Sequence, residues 1–276
     1  MTQEAKTTGN AAPSAIAKLV MVVETLTDEH RLSDIARATS LPTSTVHRIL
    51  QELVGLGWVR ETDGRGYALG ARLLGLVGQA GDESQLARFG RPIIAALNEQ
   101  TGHTIHLAVR QGDEAVYVDK LDGRRAYQMR SRVGLSIPLH CTAIGKAVLA
   151  ALPDDEVRDI ARRTGLPRRT THTLTEPDEL VRHLRNVRRL GFAIDDQENE
   201  LHTRCVGAAI VDSRGAPIGG VSLSSLVFDL DKKKISRIAP LVVAAAESLS
   251  EAFGAARHAG NEAGVGRRRA GARSRP

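Results

Sequence analysis

Apolar residues along this chain follow two rhythms, and the change between them divides it. Through residue 80 they recur every three or four positions, the spacing of one helical face. Ile16, Leu19, Val20 and Val23 keep that spacing within Ala15 to Leu26. Leu32, Ile35, Ala36 and Thr39 keep it in a shorter segment, with Ser33 placed to cap that helix. Ser40 and Leu41 make a turn, and Pro42 suits the first turn of a third helix, where its missing N–H costs nothing. There Val46, Ile49, Leu50 and Leu53 face inward until Gly55 and Gly57 end the helix. Trp58–Arg60 and Tyr67–Leu69 are short strand candidates, and the Asp63-Gly64-Arg65-Gly66 run between them is a hairpin signal.

Helix, turn, helix and hairpin in this order predict a winged helix-turn-helix. In that motif the start of the second motif helix enters the major groove. The outward positions there are Thr43, Ser44, Thr45, His47 and Arg48, all able to donate to base edges or phosphates. Arg60 and Arg65 place positive charge on the wing. A helical domain with solvated polar faces shares the helix pair but not the hairpin at this distance. Residues 1–80 hold eight Lys/Arg and eight Asp/Glu. DNA binding therefore depends on where the charges sit, not on their sum.

Leu73, Leu74, Leu76 and Val77 suit a linker helix over 71–82 that packs against a twin, giving two reading heads. Beyond Asp82 the rhythm becomes mixed. Strands are predicted at Thr104–Arg110, Ala115–Leu121, Ala126–Val133, Arg204–Asp212 and Pro217–Leu226, and a short one ends in the acidic run after Phe192. Helices are predicted at Leu86–Gln100, Thr142–Leu152, Pro153–Arg163, Pro177–Leu190 and Lys232–Phe253. One sheet with helices to one side is the expected layout, an α+β domain. The full division is 1–12 disordered, 13–70 reading head, 71–82 linker, 83–256 second domain and 257–276 disordered basic tail.

Three local features point to a pocket. Thr142 can cap a helix and leave the N–H groups of Ala143, Ile144 and Gly145 free for an anion, or serve as an ordinary cap. The Gly145-Lys146 pair is not a P-loop, since His140 stands where the first glycine would be. The acidic cluster that ends the Phe192–Glu200 run (Asp195-Asp196-Gln197-Glu198-Asn199-Glu200) can orient a ligand hydroxyl, hold a metal, or be a solvated loop. Thr203 with Cys205, and Ser222 with Ser224, share strand faces by the two-residue period. Small hydroxyls on apolar strands need a partner, either a ligand or a structural hydrogen bond.

The net charge of +6 is concentrated at the end: five arginines and one glutamate from Asn261 onward supply +4, leaving the body at +2. Such a tail reads as an arm for DNA or a solubilising extension. No apolar run approaches the length of a bilayer span and no signal pattern opens the chain, so the cytoplasm is expected. Aromatic residues at 3% disfavour stacking on single strands.

Together and in this order, SLPTSTVHRILQEL, PLHCTAIGKAVLA and GFAIDDQENELHTRCVGAAI resemble the isocitrate-lyase-regulator (IclR) family of bacterial transcription factors from Pro13 to Gly254. The resemblance implies a C-terminal GAF-like α/β effector-binding domain, a homodimer often paired into a tetramer, and no cofactor. It implies a double-stranded-DNA-binding regulator, a repressor in preference to an activator, switched by a small carboxylic-acid metabolite. By motif position its effector residues fall on Met129, Ile137, Ala143, Ile144, Asp195, Thr203, Cys205, Ser222 and Ser224. Ile144 narrows the site relative to members with tiny residues there, and Thr203 adds a hydroxyl, so no relative's effector transfers directly. A competing reading is a metal or redox sensor built on His140/Cys141 and His202/Cys205. Catalysis is not expected: no nucleophile elbow, dinucleotide fingerprint or His-Glu-x-x-His helix is present.

Overall fold

The computed structural model describes residues 13–62, 66–73, 81–124 and 129–271, without side chains at 81–85 and 255–271. The expected disordered N-terminus, the tip of the wing and most of the linker helix lie outside these residues. Ala71–Leu73 is helical. The chain divides into two units, Met1–Gly81 and Asp82–Pro276.

The first unit contains α1 (Ala15–Thr25), α2 (Leu32–Thr39), α3 (Thr43–Gly55), β1 (Val59–Thr62) and β2 (Gly66–Leu69). Its core gathers Val22 of α1 and Leu26 at its C-cap, Ile35 of α2, Val46, Ile49, Leu50 and Leu53 of α3, and Val59 and Tyr67 of the wing. Two expectations change. The buried face of α1 runs through Val22, while Ile16 and Val20 are 77% and 45% exposed. The helix is apolar nearly all round, so its spacing alone does not fix the packed face. Ser33 lies inside α2, whose cap is Arg31 with no side-chain hydrogen bond. Ser40 makes the turn in the left-handed region (φ 55°) and donates its N–H back to Ala36 and Arg37. The wing strands pair antiparallel, Val59 opposite Leu69. Tyr67 N donates to His30 O at 2.7 Å, tying the wing to the entry of α2.

The second unit runs α4 (Gly81–Thr101), β3 (Thr104–Gln111), β4 (Glu114–Leu121), β5 (Ser136–Pro138), α5 (Ala143–Ala150), α6 (Asp154–Thr164) and α7 (Pro177–Leu190), then β6 (Ala193–Asp196), β7 (Thr203–Val211), β8 (Pro217–Leu226) and α8 (Lys232–Gly271). The six strands form one sheet, ordered β5-β4-β3-β8-β7-β6, with each neighbouring pair antiparallel. Ile105, Leu107, Val206, Val221 and Leu223 pack with Leu86 and Ile94 of α4 and Val242 and Leu249 of α8. Ala108 and Ala115 pack in a second cluster with α5, α6 and α7. Helices therefore cover both faces, not one. The burial of β8 reflects this: every residue but Ile218 and Leu226 is buried, whereas a strand solvated on one side would alternate.

The strand expected over Ala126–Val133 falls partly outside the described residues, and from Met129 to Val133 the backbone is not a strand. The Met129 and Ser131 carbonyls accept from the Lys120 ammonium instead of from a neighbouring strand. The sheet edge is supplied later, by β5. Helix α8 continues to Gly271, so the backbone is helical where a tail without secondary structure was expected from 257. Ala and Arg, frequent there, are good helix formers.

Candidate effector cavity and DNA-reading surface

Helix α3 buries Val46, Ile49, Leu50 and Leu53, and this rotation sets its other face outward. Thr43, Ser44, His47 and Arg48 are exposed and Thr45 is half-buried. Arg60 is exposed on β1; Arg65 lies outside the described residues. Arg48 Nη1 donates to Glu52 Oε1 at 3.0 Å, with both side chains more than 60% exposed. Such an ion pair is weak and leaves the guanidinium able to exchange its partner for a phosphate or a base edge.

In the second unit, α5 is buried along its whole length. Two glycines let it sink that deep. A Cβ on Gly145 would run into the backbone of Leu139, and one on Gly207 of β7 would sit 2.7 Å from the Ala143 carbonyl carbon. Thr142 caps the helix as expected, but its Oγ1 accepts from Gly145 N at 3.0 Å, so that amide is not free. The N–H groups of Ala143 and Ile144 have no acceptor among the described residues.

The start of α5 forms one wall of a cavity with about 490 Å³ of atom-free space, part of it open to solvent. All nine residues expected at an effector site line it: Met129, Ile137, Ala143, Ile144, Asp195, Thr203, Cys205, Ser222 and Ser224. Antiparallel register explains the gathering, with Asp195 opposite Cys205 and Cys205 opposite Ser224. Asn199 and Glu200, from the acidic run singled out in the sequence, line it too, whereas sequence reasoning missed His106, Tyr117, Arg130 and Ser131.

Asp195 is almost fully buried, and its Oδ1 accepts from the N–H groups of Glu198 (2.8 Å) and Asn199 (3.3 Å). Burial is the largest influence and pushes its carboxyl up to about 7, against the opposing pull of Lys146. Behind it Lys146, with no exposed side-chain surface, donates to Glu198 Oε1 and to Ile194 O at 2.6 Å, and lies 3.4 Å from His183 Nε2. Burial also raises Glu198, whose Oε2 has no hydrogen-bond partner among the described residues. Burial holds His183 down at about 4 and His106 at about 3, so both rings are neutral near pH 7. The cavity thus presents hydroxyls, a neutral imidazole and a carboxyl raised by burial, with Arg130 and Glu200 exposed on its lining.

The cysteines do not assemble a metal site. Among the described residues no three His, Cys, Asp or Glu side chains converge as a metal requires. Burial pushes the Cys141 thiol up to about 12 and raises Cys205 as well, disfavouring the thiolate that metal binding and oxidation need. His140 Nε2 faces the Pro167 carbonyl at 3.1 Å, and His202 is exposed. The metal or redox reading therefore has no support in the structure.

A winged helix-turn-helix on one unit and a polar cavity inside the other define a DNA-binding regulator switched by a small molecule. The chain matches the IclR helix-turn-helix domain over residues 15–63 and the bacterial transcriptional regulator IclR C-terminal domain over residues 79–251. It is 31% identical over 230 residues to the transcriptional repressor IclR of Escherichia coli, covering 82% of this chain and 84% of that one. It is 30% identical over 244 residues to the regulator KdgR of Dickeya chrysanthemi, covering 87% and 80%. The crystal structure of Thermotoga maritima IclR superposes with a TM-score of 0.73 at 28% identity, covering 87% of this chain and 98% of that one. An IclR homologue from Microbacterium hydrocarbonoxydans, complexed with 4-hydroxybenzoate, shares the fold with a TM-score of 0.69 at 24% identity, covering 88% and 100%. The chain belongs to the IclR family of bacterial transcriptional regulators. No helix among the described residues is long and apolar enough to cross a membrane.

Proposed function

We propose that this regulator binds a specific double-stranded operator as a homodimer in the cytoplasm, represses transcription, and is switched by a small carboxylic acid held without turnover in the cavity beside α5. Repression is supported by the names of relatives, among them a transcriptional repressor and an acetate operon repressor. Pairing is supported by Ile16 and Val20, one turn apart and exposed on α1, an apolar pair suited to a second copy. The observation that carries the ligand class is the buried start of α5, where Ala143 and Ile144, whose amides have no acceptor among the described residues, line a cavity together with Ser222 and Ser224. Amides and hydroxyls donate to a carboxylate, and a helix start favours the negative charge. Asp195, on the same cavity, takes a hydroxyl or amine of the ligand. Binding alters DNA affinity by favouring one arrangement of the paired reading heads.

The test is calorimetry with benzoate, 4-hydroxybenzoate and short aliphatic acids, followed by gel shifts on the DNA flanking the gene. One acid binds, changes the shift, and binds at least about tenfold more weakly to the Ser222→Ala/Ser224→Ala double variant, the smallest effect of losing a hydrogen bond to a charged group. Uniform failure of the acids, or full affinity in the double variant, would remove the carboxylate from the cavity. Turnover of any of them would make the protein an enzyme.

A further inference from the structure

His106 stands on the cavity wall with both ring nitrogens engaged. Nδ1 lies 3.3 Å from Ser224 Oγ, and Nε2 lies 2.6 Å from Ser131 Oγ. The ring is fixed in its plane by Tyr117, stacked with centroids 4.7 Å apart and planes 28° apart. A register shift between Leu107 and Ala108 puts Tyr117 opposite Ala108 and skips Val118. Bulges of this kind re-aim side chains beside functional sites. Opposite His106 in the ladder is Lys120, whose Nζ donates to the carbonyls of Met129 and Ser131, each at 2.9 Å. The Met129–Ser131 segment is therefore held twice: by Lys120, which is not part of the cavity lining, and by His106, which is.

We propose that His106 is a specificity-determining residue of this cavity: by bridging Ser224 to Ser131 it sets whether Ser224 donates to a ligand or accepts from it, and it passes that choice to the Met129–Ser131 segment. This rests on the cavity being the effector site. A neutral imidazole has one N–H and one lone pair. If Nδ1 carries the proton, it donates to Ser224 Oγ, the serine hydroxyl is released to donate to a ligand oxygen, and Nε2 accepts from the Ser131 hydroxyl. If Nε2 carries the proton, it donates to Ser131, and Ser224 spends its hydroxyl on Nδ1 and can only accept from a ligand. A carboxylate has no proton to give, so it selects the first arrangement. The ring exchanges one proton between its nitrogens through solvent, with no change in net charge. Burial, the larger influence, and the Lys120 charge keep the ring neutral near pH 7, so the doubly protonated form, which would donate to both serines, does not intervene.

The test uses the full-length protein in two arms. In the first, without ligand, hydrogen exchange is followed across residues 129–135 in wild type, Ser131→Ala, Ser224→Ala and the double variant. Each single change speeds exchange by roughly three- to tenfold, the worth of a neutral hydrogen bond. The double variant is no faster than the faster single one, because both act through the same imidazole. Lys120→Met combined with Ser224→Ala gives multiplied effects, since Lys120 acts independently. Multiplied effects of Ser131→Ala and Ser224→Ala, or none from Ser224→Ala, overturn the bridge. In the second arm, benzoate is added and the His106 ring nitrogens are read by ¹⁵N NMR, with the Ala143 and Ile144 amides reporting occupancy. Occupancy with the proton on Nδ1 is the expected result, and occupancy with it on Nε2 overturns the proposal. If benzoate leaves those amides unmoved, the cavity reading is the one that suffers, and the exchange cycle still decides the role of His106.

Discussion

Two helices of this regulator begin in opposite surroundings. The first turns of α3 lie in water, with Thr43, Ser44, His47 and Arg48 exposed, whereas α5 is buried from Ala143 to Ala150. An exposed helix start meets a long, flexible-contact polyanion through side chains that reach from the surface. The buried one opens on Ala143, Ile144 and Gly145, and the first two of these themselves line a small cavity. The difference also sets how charge is handled. Around α3 charge is local and solvated, as in the loose Arg48–Glu52 pair. Around α5 every charge must be partnered, and Lys146, Glu198 and Asp195 form one coupled group.

That contrast is broken most severely at Lys146. Lys146→Met leaves the Glu198 carboxylate buried without its ammonium and is expected to cost about 3–5 kcal/mol of stability in the second unit. Urea unfolding measures it, and Glu198→Gln placed on top should return a large part of the loss. Equal cost in the single and double variants would mean that packing, not charge, holds Lys146 in place. On the solvated side, Arg48→Ala should weaken operator binding by about 1–3 kcal/mol, the value of one good base contact, while leaving stability and acid binding unchanged. Full operator affinity in gel shifts would take Arg48 off the reading surface.

The same contrast governed what could be read without coordinates. Helix α7 is marked at both ends, by Pro177 at its first turn and Gly191 at its C-cap, and its predicted bounds match those of the structure. So do those of β8. Thr203, Cys205, Ser222 and Ser224 were legible because strand alternation is strict, and their convergence follows from the ladder register. Met129 and Ile137 came only from family resemblance, having no local pattern of their own. His106 was missed although Ile105 and Leu107 flank it; alternation puts it on the opposite face, but a single histidine there says nothing of a cavity. Lys146 gave no sign of its burial, because a lysine in a short helix reads as solvent-facing until the helix is known to be enclosed. The helices on both sheet faces were missed for a related reason: burial of a strand on both sides depends on partners distant in sequence.

The finest test of the buried side is pH. Asp195 is raised from an ordinary 3.8 to about 7, chiefly by burial, with Glu198 adding to the rise and Lys146 and the Glu198 and Asn199 amides opposing it. Between about pH 4 and 7 the folded protein therefore retains a proton that the unfolded chain has released. Stability from this group accordingly falls as pH rises across that window and levels off above it. A carboxylate ligand meets a neutral Asp195 below pH 7 and a like charge above it. Benzoate affinity is thus expected to rise as pH falls from 8 to 6, by at most about tenfold per unit for one coupled proton. Asp195→Asn, which keeps the shape and cannot ionise, should bind with little pH dependence over that range and lose part of the stability slope. Calorimetry at pH 6, 7 and 8 on both proteins reads the effect. A wild-type affinity flat across those values would mean that the ligand's charge sits far from Asp195, leaving the start of α5 and the two serines as its only anchor.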